Sequence, residues 1–207
     1  MTKKFSYEYY NLINQYKYVH KHGIRKKNFF IGKDQTFDGK SLGRWIKTIN
    51  NIIIKTNSKS ILDYGCGKAK YYNNEFQIED KIHNSLKEYW NVSEIKLFDP
   101  GVKEFETYPN KNYDGVICTD VLEHISSLDL DYIVNDIFNL SNKFTFFVVS
   151  TTLDEKFFPD GRNVHQTVKN EEWWKVFFNK IKDKFSNIEC FVVATMGEKG
   201  KLAKRLI

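Results

Sequence analysis

Three stretches of the sequence bring together residue types that do chemistry. Asp63-Tyr64-Gly65-Cys66-Gly67-Lys68-Ala69 places a carboxylate two residues before a Gly-x-Gly. Glycines in such a turn let the backbone come close to a ligand with no Cβ in the way. Asp99 stands in Lys-Leu-Phe-Asp-Pro-Gly, a carboxylate whose paired acceptors suit two neighbouring hydroxyls. Asp120, Glu123 and His124 fall at i, i+3 and i+4, so one helical turn puts them on a common face. His165 follows in Pro-Asp-Gly-Arg-Asn-Val-His-Gln-Thr. Acids and histidines in this pattern serve as general acid–base groups, with His165 or His124 as the base. The alternative is a divalent-metal set of Asp120, Glu123, His124 and His165 that lowers the pKa of a bound group. A third role for Glu123 and His124 is structural. His20, His22 and His83 read as solvated surface.

These residues need elements to hold them. Leu42, Trp45, Ile46, Ile49, Ile52 and Ile53 recur at helical spacing, which predicts a helix over 41–56. Ile61–Leu62 reads as a strand running into the glycine turn. A helix restarts over 68–76 and another is expected over 78–90. Ile95–Phe98 is a second strand, stopped where the residue before Pro100 is held extended. Val102–Tyr108 reads as a short third strand and Gly115–Thr119 as a fourth. Leu128–Leu140 reads as a helix, and Phe144–Ser150 as a central strand covered on both faces. The stretch 152–169 reads as irregular and Glu171–Phe185 as a helix. Ile188–Thr195 and Leu202–Ile207 are expected to pair antiparallel around a turn at Gly197–Gly200. Strands alternating with helices predict an α/β fold, mostly parallel with an antiparallel last strand and helices on both faces. Ligands in such folds sit at the carboxyl ends of the strands. Residues 1–40, polar, aromatic and basic, read as short helices or loops that cap a domain over 41–207.

The glycine turn excludes two common phosphate loops. A Walker A loop needs GxxxxGK[ST], and Gly67-Lys68 is followed by Ala69 with Leu62 five residues before. A dinucleotide fingerprint needs a small residue where Lys70 stands, and an acid about 20 residues on. Asp63-x-Gly65-x-Gly67-x-Ala69 instead resembles the DxGxGxG motif of class I S-adenosylmethionine (SAM) methyltransferases, with Ala69 for the last glycine. Asp99 matches that family's ribose-binding carboxylate, and Tyr113–Ile125, with Asp-Val-Leu-Glu-His, is similar to its strand-four segment. The resemblance covers about 41–207 and implies a Rossmann-like sheet and SAM as cofactor. It points to a cofactor set of Asp63, Gly65, Cys66, Gly67, Asp99, Pro100, Thr119, Asp120 and Leu122, beside the catalytic set of His165, His124 and Asp120 read from spacing and strand ends. Tyr64 and Phe98 are further candidates for packing around cofactor, with core filler the stronger reading for Phe98. The Asp-x-x-Glu-His spacing is similar to the E-x-x-E-H cluster of metal-dependent RNA 2′-O-methyltransferases and some ubiquinone-pathway O-methyltransferases. It also occurs in relatives without metal, so a divalent metal is weighed and not favoured. In such enzymes the segment matching 25–42 folds over the cofactor as a lid, with Phe37, Gly39 and Ser41 close by. Trp173-Trp174 is a candidate wall of the acceptor pocket, with at least one of the pair in the core.

Composition narrows the partner. The aromatic fraction of 16% excludes wholesale disorder. No run of 18 apolar residues spans a membrane, and the N-terminus lacks an apolar core of signal-peptide length. Cys66, Cys118 and Cys190 make neither a disulfide framework nor a zinc site, which suits a reduced cytoplasmic chain. The net charge of +6 allows an anionic acceptor, which Arg25, Lys26 and Lys27 would meet. Thr119-Asp120-Val121-Leu122 stands where amino-directed nucleic-acid methyltransferases carry [DNS]PP[YFW]. The expectation is therefore methyl transfer to an oxygen or nitrogen of a small molecule: a sugar, a sugar nucleotide or another phosphorylated metabolite. RNA methylation (2′-O or base) and a non-catalytic SAM-binding module are the alternatives.

Overall fold

The computed structural model describes residues 5–72, 74–78, 80–196 and 202–207. In chain order the elements are α1 (Tyr7–His22), β1 (Ile24–Lys26), β2 (Phe29–Ile31), α2 (Ile46–Thr56), β3 (Ser60–Tyr64), β4 (Phe76–Ile78), β5 (Lys81–His83), α3 (Leu86–Tyr89), β6 (Glu94–Phe98), β7 (Tyr113–Thr119), α4 (Leu130–Asn139), β8 (Ser141–Ser150), β9 (Lys156–Phe157), α5 (Glu171–Lys182), β10 (Glu189–Met196) and β11 (Leu202–Arg205). Six strands form the central sheet in the order β11-β10-β8-β7-β3-β6. All its pairings are parallel except β10–β11. The turn expected at Gly197–Gly200 lies outside the described residues.

Both faces of the sheet are covered, as the continuous apolar run of β8 requires. Phe147 and Val149 point to the face packed by α4 and α5, with Ile133, Ile137, Trp174 and Phe178. Phe144, Phe146 and Val148 point to the face packed by α2 and α3, with Ile49, Ile53, Leu86 and Trp90. The chain leaves β3 for β6 on one side and later lays β7 on the other, so the strand order reverses at β3. A crevice opens outside the carboxyl ends at such a reversal.

Four local expectations are corrected. The region before residue 40 is not merely short helices and loops: α1 runs for 16 residues. Ser6 caps it by accepting the Tyr9 N–H, and Gly23, at φ 98°, ends it. The helix expected over 78–90 is the β4–β5 hairpin followed by the single turn of α3. Phe76 stacks on His83 across the hairpin, and Ser85 starts α3 by accepting the Glu88 N–H. Residues 102–108 form no strand, because Asp99 closes turns on them: its carbonyl accepts from Val102 and its N–H reaches the Phe105 carbonyl. Residues 68–72 are turns rather than a helix, with Ala69 left-handed at φ 51°.

The stretch 152–169 is less irregular than expected. It carries β9, which pairs antiparallel with β1, so the β1–β2 hairpin is stitched to the loop after β8. α1 lies beside both, burying Leu12 and Val19 against Ile24, Phe158 and Val164. It is tethered along its length. Ser6 donates from N and Oγ to buried Asp129, Glu8 pairs with Arg162, and Lys17 pairs with Glu106.

Candidate functional site

The carboxyl ends of β3, β6, β7 and β8 and the inner face of α1 enclose one cavity of about 990 Å³. Of the sequence-predicted residues, Asp63, Gly65, Cys66, Gly67, Asp99, Pro100, Thr119, Asp120, His124 and His165 all line it. Leu122 does not. It belongs to a single turn of 3-10 helix, Leu122–His124, that points it into the core, where it is fully buried with Val116 and Ile133. Phe98 is also core, while Tyr64 lines the cavity. Neither tryptophan walls the pocket. Trp174 is buried in the core, and Trp173 stacks on Phe177.

At one end the glycine turn and Asp99 form a single unit. The N–H groups of Gly65 and Cys66 both reach the Phe98 carbonyl, at 2.7 and 3.2 Å. Asp99 Oδ2 accepts the Gly67 N–H at 2.9 Å, and Oδ1 accepts the Gly101 N–H at 2.8 Å. Gly67 has φ 56°, and a Cβ there would stand 2.5 Å from the Phe37 carbonyl oxygen. Burial raises the Asp99 carboxyl above its usual range, opposed by the two amides. Asp63 is buried beneath the turn and accepts the Tyr72 hydroxyl at 2.7 Å; burial lifts its pKa to about 7. Burial also pushes the Cys66 thiol up, so this cysteine is no thiolate nucleophile.

The other end holds the acids and histidines. Asp120 is left-handed at φ 55°, a strained geometry for a non-glycine residue, and burial raises its carboxyl. Glu123 is fully buried. Its Oε1 accepts the Ser150 N–H at 3.0 Å, and its Oε2 has no partner. Burial, and then the charge of Asp120, push the Glu123 carboxyl well up. His124 Nδ1 lies 3.1 Å from the Val164 carbonyl and 2.6 Å from the Tyr16 hydroxyl. His165 Nδ1 lies 2.6 Å from the Thr152 carbonyl, and its Nε2 is 3.8 Å from Asp154. Burial lowers the pKa of both rings, so both are neutral near pH 7. The two rings meet edge to face at 4.7 Å.

Several lining residues escaped the sequence reading. Tyr9, Leu12, Ile13, Tyr16 and His20 come from α1. His20 is not solvated surface as expected: burial lowers its pKa to about 4, and its Nδ1 is buried without a partner. His22 is exposed. Lys26 and Lys27 line the mouth and pair with Glu155, and Phe37, Gly39 and Ser41 line the side facing the glycine turn. Arg25 is not among the lining residues; it lies over the Phe157 ring.

The residues fit SAM. A buried carboxylate ends β6, a glycine turn free of Cβ ends β3, and the buried His20 Nδ1 lacks a partner. A family model for a methyltransferase domain matches residues 37–187. No curated protein and no solved structure matches the chain. The matched residues are well over half of the 207 and take in the glycine turn, Asp99, the Asp120–His124 segment and His165. The chain belongs to the methyltransferase domain family, among the class I SAM-dependent enzymes.

Proposed function

We propose that the protein moves the methyl group of SAM onto an oxygen or nitrogen of a small polar molecule. The observation that carries this reading is the division of one cavity. Asp99 and the glycine turn stand at one end, and Asp120, Glu123, His124 and His165 at the other. SAM supplies an electrophilic methyl on a sulfonium. Asp99 has carboxylate oxygens for the ribose hydroxyls, and the glycine turn with Thr119 frames the methionine end. The transfer is an in-line displacement, so the protein's main task is to align the acceptor. The acceptor's lone pair would form the bond to the methyl carbon, and the pair of the broken carbon–sulfur bond would stay on sulfur and neutralise it. The acceptor proton passes to the acid–histidine end. A carbonyl only accepts hydrogen bonds, so His165 Nδ1 carries the proton that meets Thr152. Its Nε2 therefore holds a lone pair for the acceptor.

Residues 5–40 act in this reading as a cover over the cleft. The lysines and Arg44 at the mouth suit an acceptor that carries negative charge. No helix among the described residues is long and apolar enough to cross a membrane.

Incubation with methyl-labelled SAM and a cell extract, followed by identification of the labelled product, tests the reading. A labelled small molecule is expected. Label found only in RNA would replace this reading with RNA methylation, and SAM binding without any transfer would point to a binding module. His165→Ala should cut turnover by about 10²–10⁴-fold while SAM affinity holds.

A further inference from the structure

α1 reaches the Asp99 end of the cavity as well as the acid–histidine end. We propose that His20, in the last turn of α1, is a ribose-binding residue: its imidazole donates a hydrogen bond to a ribose hydroxyl of SAM that Asp99 holds from the other side. This rests on the reading of the Asp99 end as the seat of the cofactor. It adds a residue from outside the stretch, 37–187, that the family model matches.

The position of the ring is the first argument. His20 lines the cavity. It meets the Asp99 loop at Gly101, where a Cβ would stand 3.2 Å from Asp99 Oδ1 and 3.5 Å from His20 Cδ2, with the Cβ of Tyr16 at 3.1 Å. Ring and carboxylate therefore flank one residue, and a residue without a side chain lets the helix come that close. The group that rests on Asp99 rests beside His20.

His20 is also fixed before any ligand arrives. Its carbonyl accepts from Lys68 Nζ at 3.1 Å. Lys68 follows Gly67, whose N–H is held by Asp99. The ring packs against Phe37, with centroids 5.8 Å apart. A side chain oriented in advance loses less freedom on binding.

Hydrogen-bond chemistry is the third argument. Of the two ring nitrogens only Nδ1 is enclosed, and it has no partner. Burial, and then the charge of Lys68, keep the ring neutral near pH 7, with one N–H and one lone pair. Buried N–H groups without an acceptor are rarer than under-satisfied acceptors, which places the proton on Nε2. A ribose hydroxyl both donates and accepts, whereas a carboxylate only accepts. Asp99 therefore takes the hydroxyl's proton and leaves its lone pairs unanswered. The nearby donors are already engaged: the Gly67 and Gly101 amides on Asp99, and the Lys68 ammonium on the carbonyls of His20 and Lys33. The Nε2–H of His20 supplies what the hydroxyl lacks.

The test measures, by calorimetry on the full chain, binding of S-adenosylhomocysteine and of its 2′-deoxy and 3′-deoxy analogues. His20→Phe keeps an aromatic ring beside Phe37 and removes both nitrogens. It should weaken S-adenosylhomocysteine by about tenfold, the scale of one hydrogen bond. One deoxy analogue should bind the wild type more weakly than its parent, and the same deletion should cost about tenfold less in His20→Phe, because the hydroxyl's partner is already gone. A merely structural role for His20 would lower the affinity of all three ligands by one common factor. That result overturns the proposal, as does unchanged affinity of His20→Phe for S-adenosylhomocysteine. His20→Leu gives the same comparison if His20→Phe does not fold. Wild type that binds none of the three ligands overturns the methyltransferase reading instead.

Discussion

Asp99, at the end of β6, holds Gly67, in the turn after β3, by a 2.9 Å bond from the Gly67 N–H to Oδ2. Two neighbouring strands are thus joined at the point where the cofactor's ribose would rest. Asp99→Ala removes both this bond and the ribose acceptor. SAM affinity should fall by about 2–3 kcal/mol, the scale of a hydrogen bond to a charged group. Calorimetry with SAM checks it, and unchanged affinity would sink the assignment of Asp99.

Tyr16→Phe keeps the ring, which packs edge to face on Phe158, and removes only the hydroxyl that meets His124. The expected loss is about 1 kcal/mol of folding stability. Denaturant unfolding reads it as a lower midpoint at unchanged slope. A midpoint equal to wild type would mean that the bond contributes nothing.

Asp63 gives stability a pH dependence of definite sign. Burial lifts its carboxyl to about 7 in the fold, against about 3.9 in an unfolded chain. Between these values the native state holds a proton that the unfolded state releases. The contribution is full below about pH 4 and is lost as pH rises through about 7, by on the order of 4 kcal/mol at most. Asp63→Asn should remove this slope, because the amide does not titrate. Unfolding free energies of both proteins at pH 5 and pH 8 provide the comparison. A wild-type minus variant difference that stays constant with pH would contradict the burial argument.

The segment around Phe37–Ser41 is joined to the glycine turn by backbone bonds. Lys68 N–H reaches the Phe37 carbonyl, and Lys70 N–H reaches the Asp38 carbonyl, both at 3.1 Å. Phe37 is itself left-handed, at φ 45°. A non-glycine residue held left-handed beside a ligand cleft is a strained backbone that a bound ligand can steady. Amide exchange over 24–42 should slow when SAM binds. Equal exchange with and without SAM would remove the idea of a lid.

The sheet was legible because its strands are short β-branched and aromatic runs that stop at marked residues: Gly65, Asp99-Pro100 and Asp120. The site was legible where chemistry depends on backbone-adjacent motifs, so the glycine turn, Asp99, Asp120, Glu123 and His124 line one cavity. What was lost depended on tertiary contacts. Ile78, Ile82 and Leu86 are spaced like a helix, yet hairpin pairing wins and leaves Ile82 exposed. In α1 the inward face is Tyr9, Leu12, Ile13, Tyr16, Val19 and His20, a helical period of which half is written in polar aromatic residues. A search for aliphatic periodicity passes over it, although Ser6 before it and Gly23 after it mark both ends. Leu122 was misplaced for a related reason. A 3-10 turn rotates side chains differently from an α-helix, and it sends Leu122 inward.

α1 lies wholly outside the residues that the family model matches, yet it forms a wall of the cavity. The frame that carries the glycine turn and Asp99 and this wall of the cavity therefore come from separable stretches of sequence. An exchange of that helix would redraw what the cleft admits while β3, β6 and their ligating groups stay as they are. Selectivity in this protein would then be a replaceable part, and grafts of α1 between related chains offer a direct route to altered acceptors.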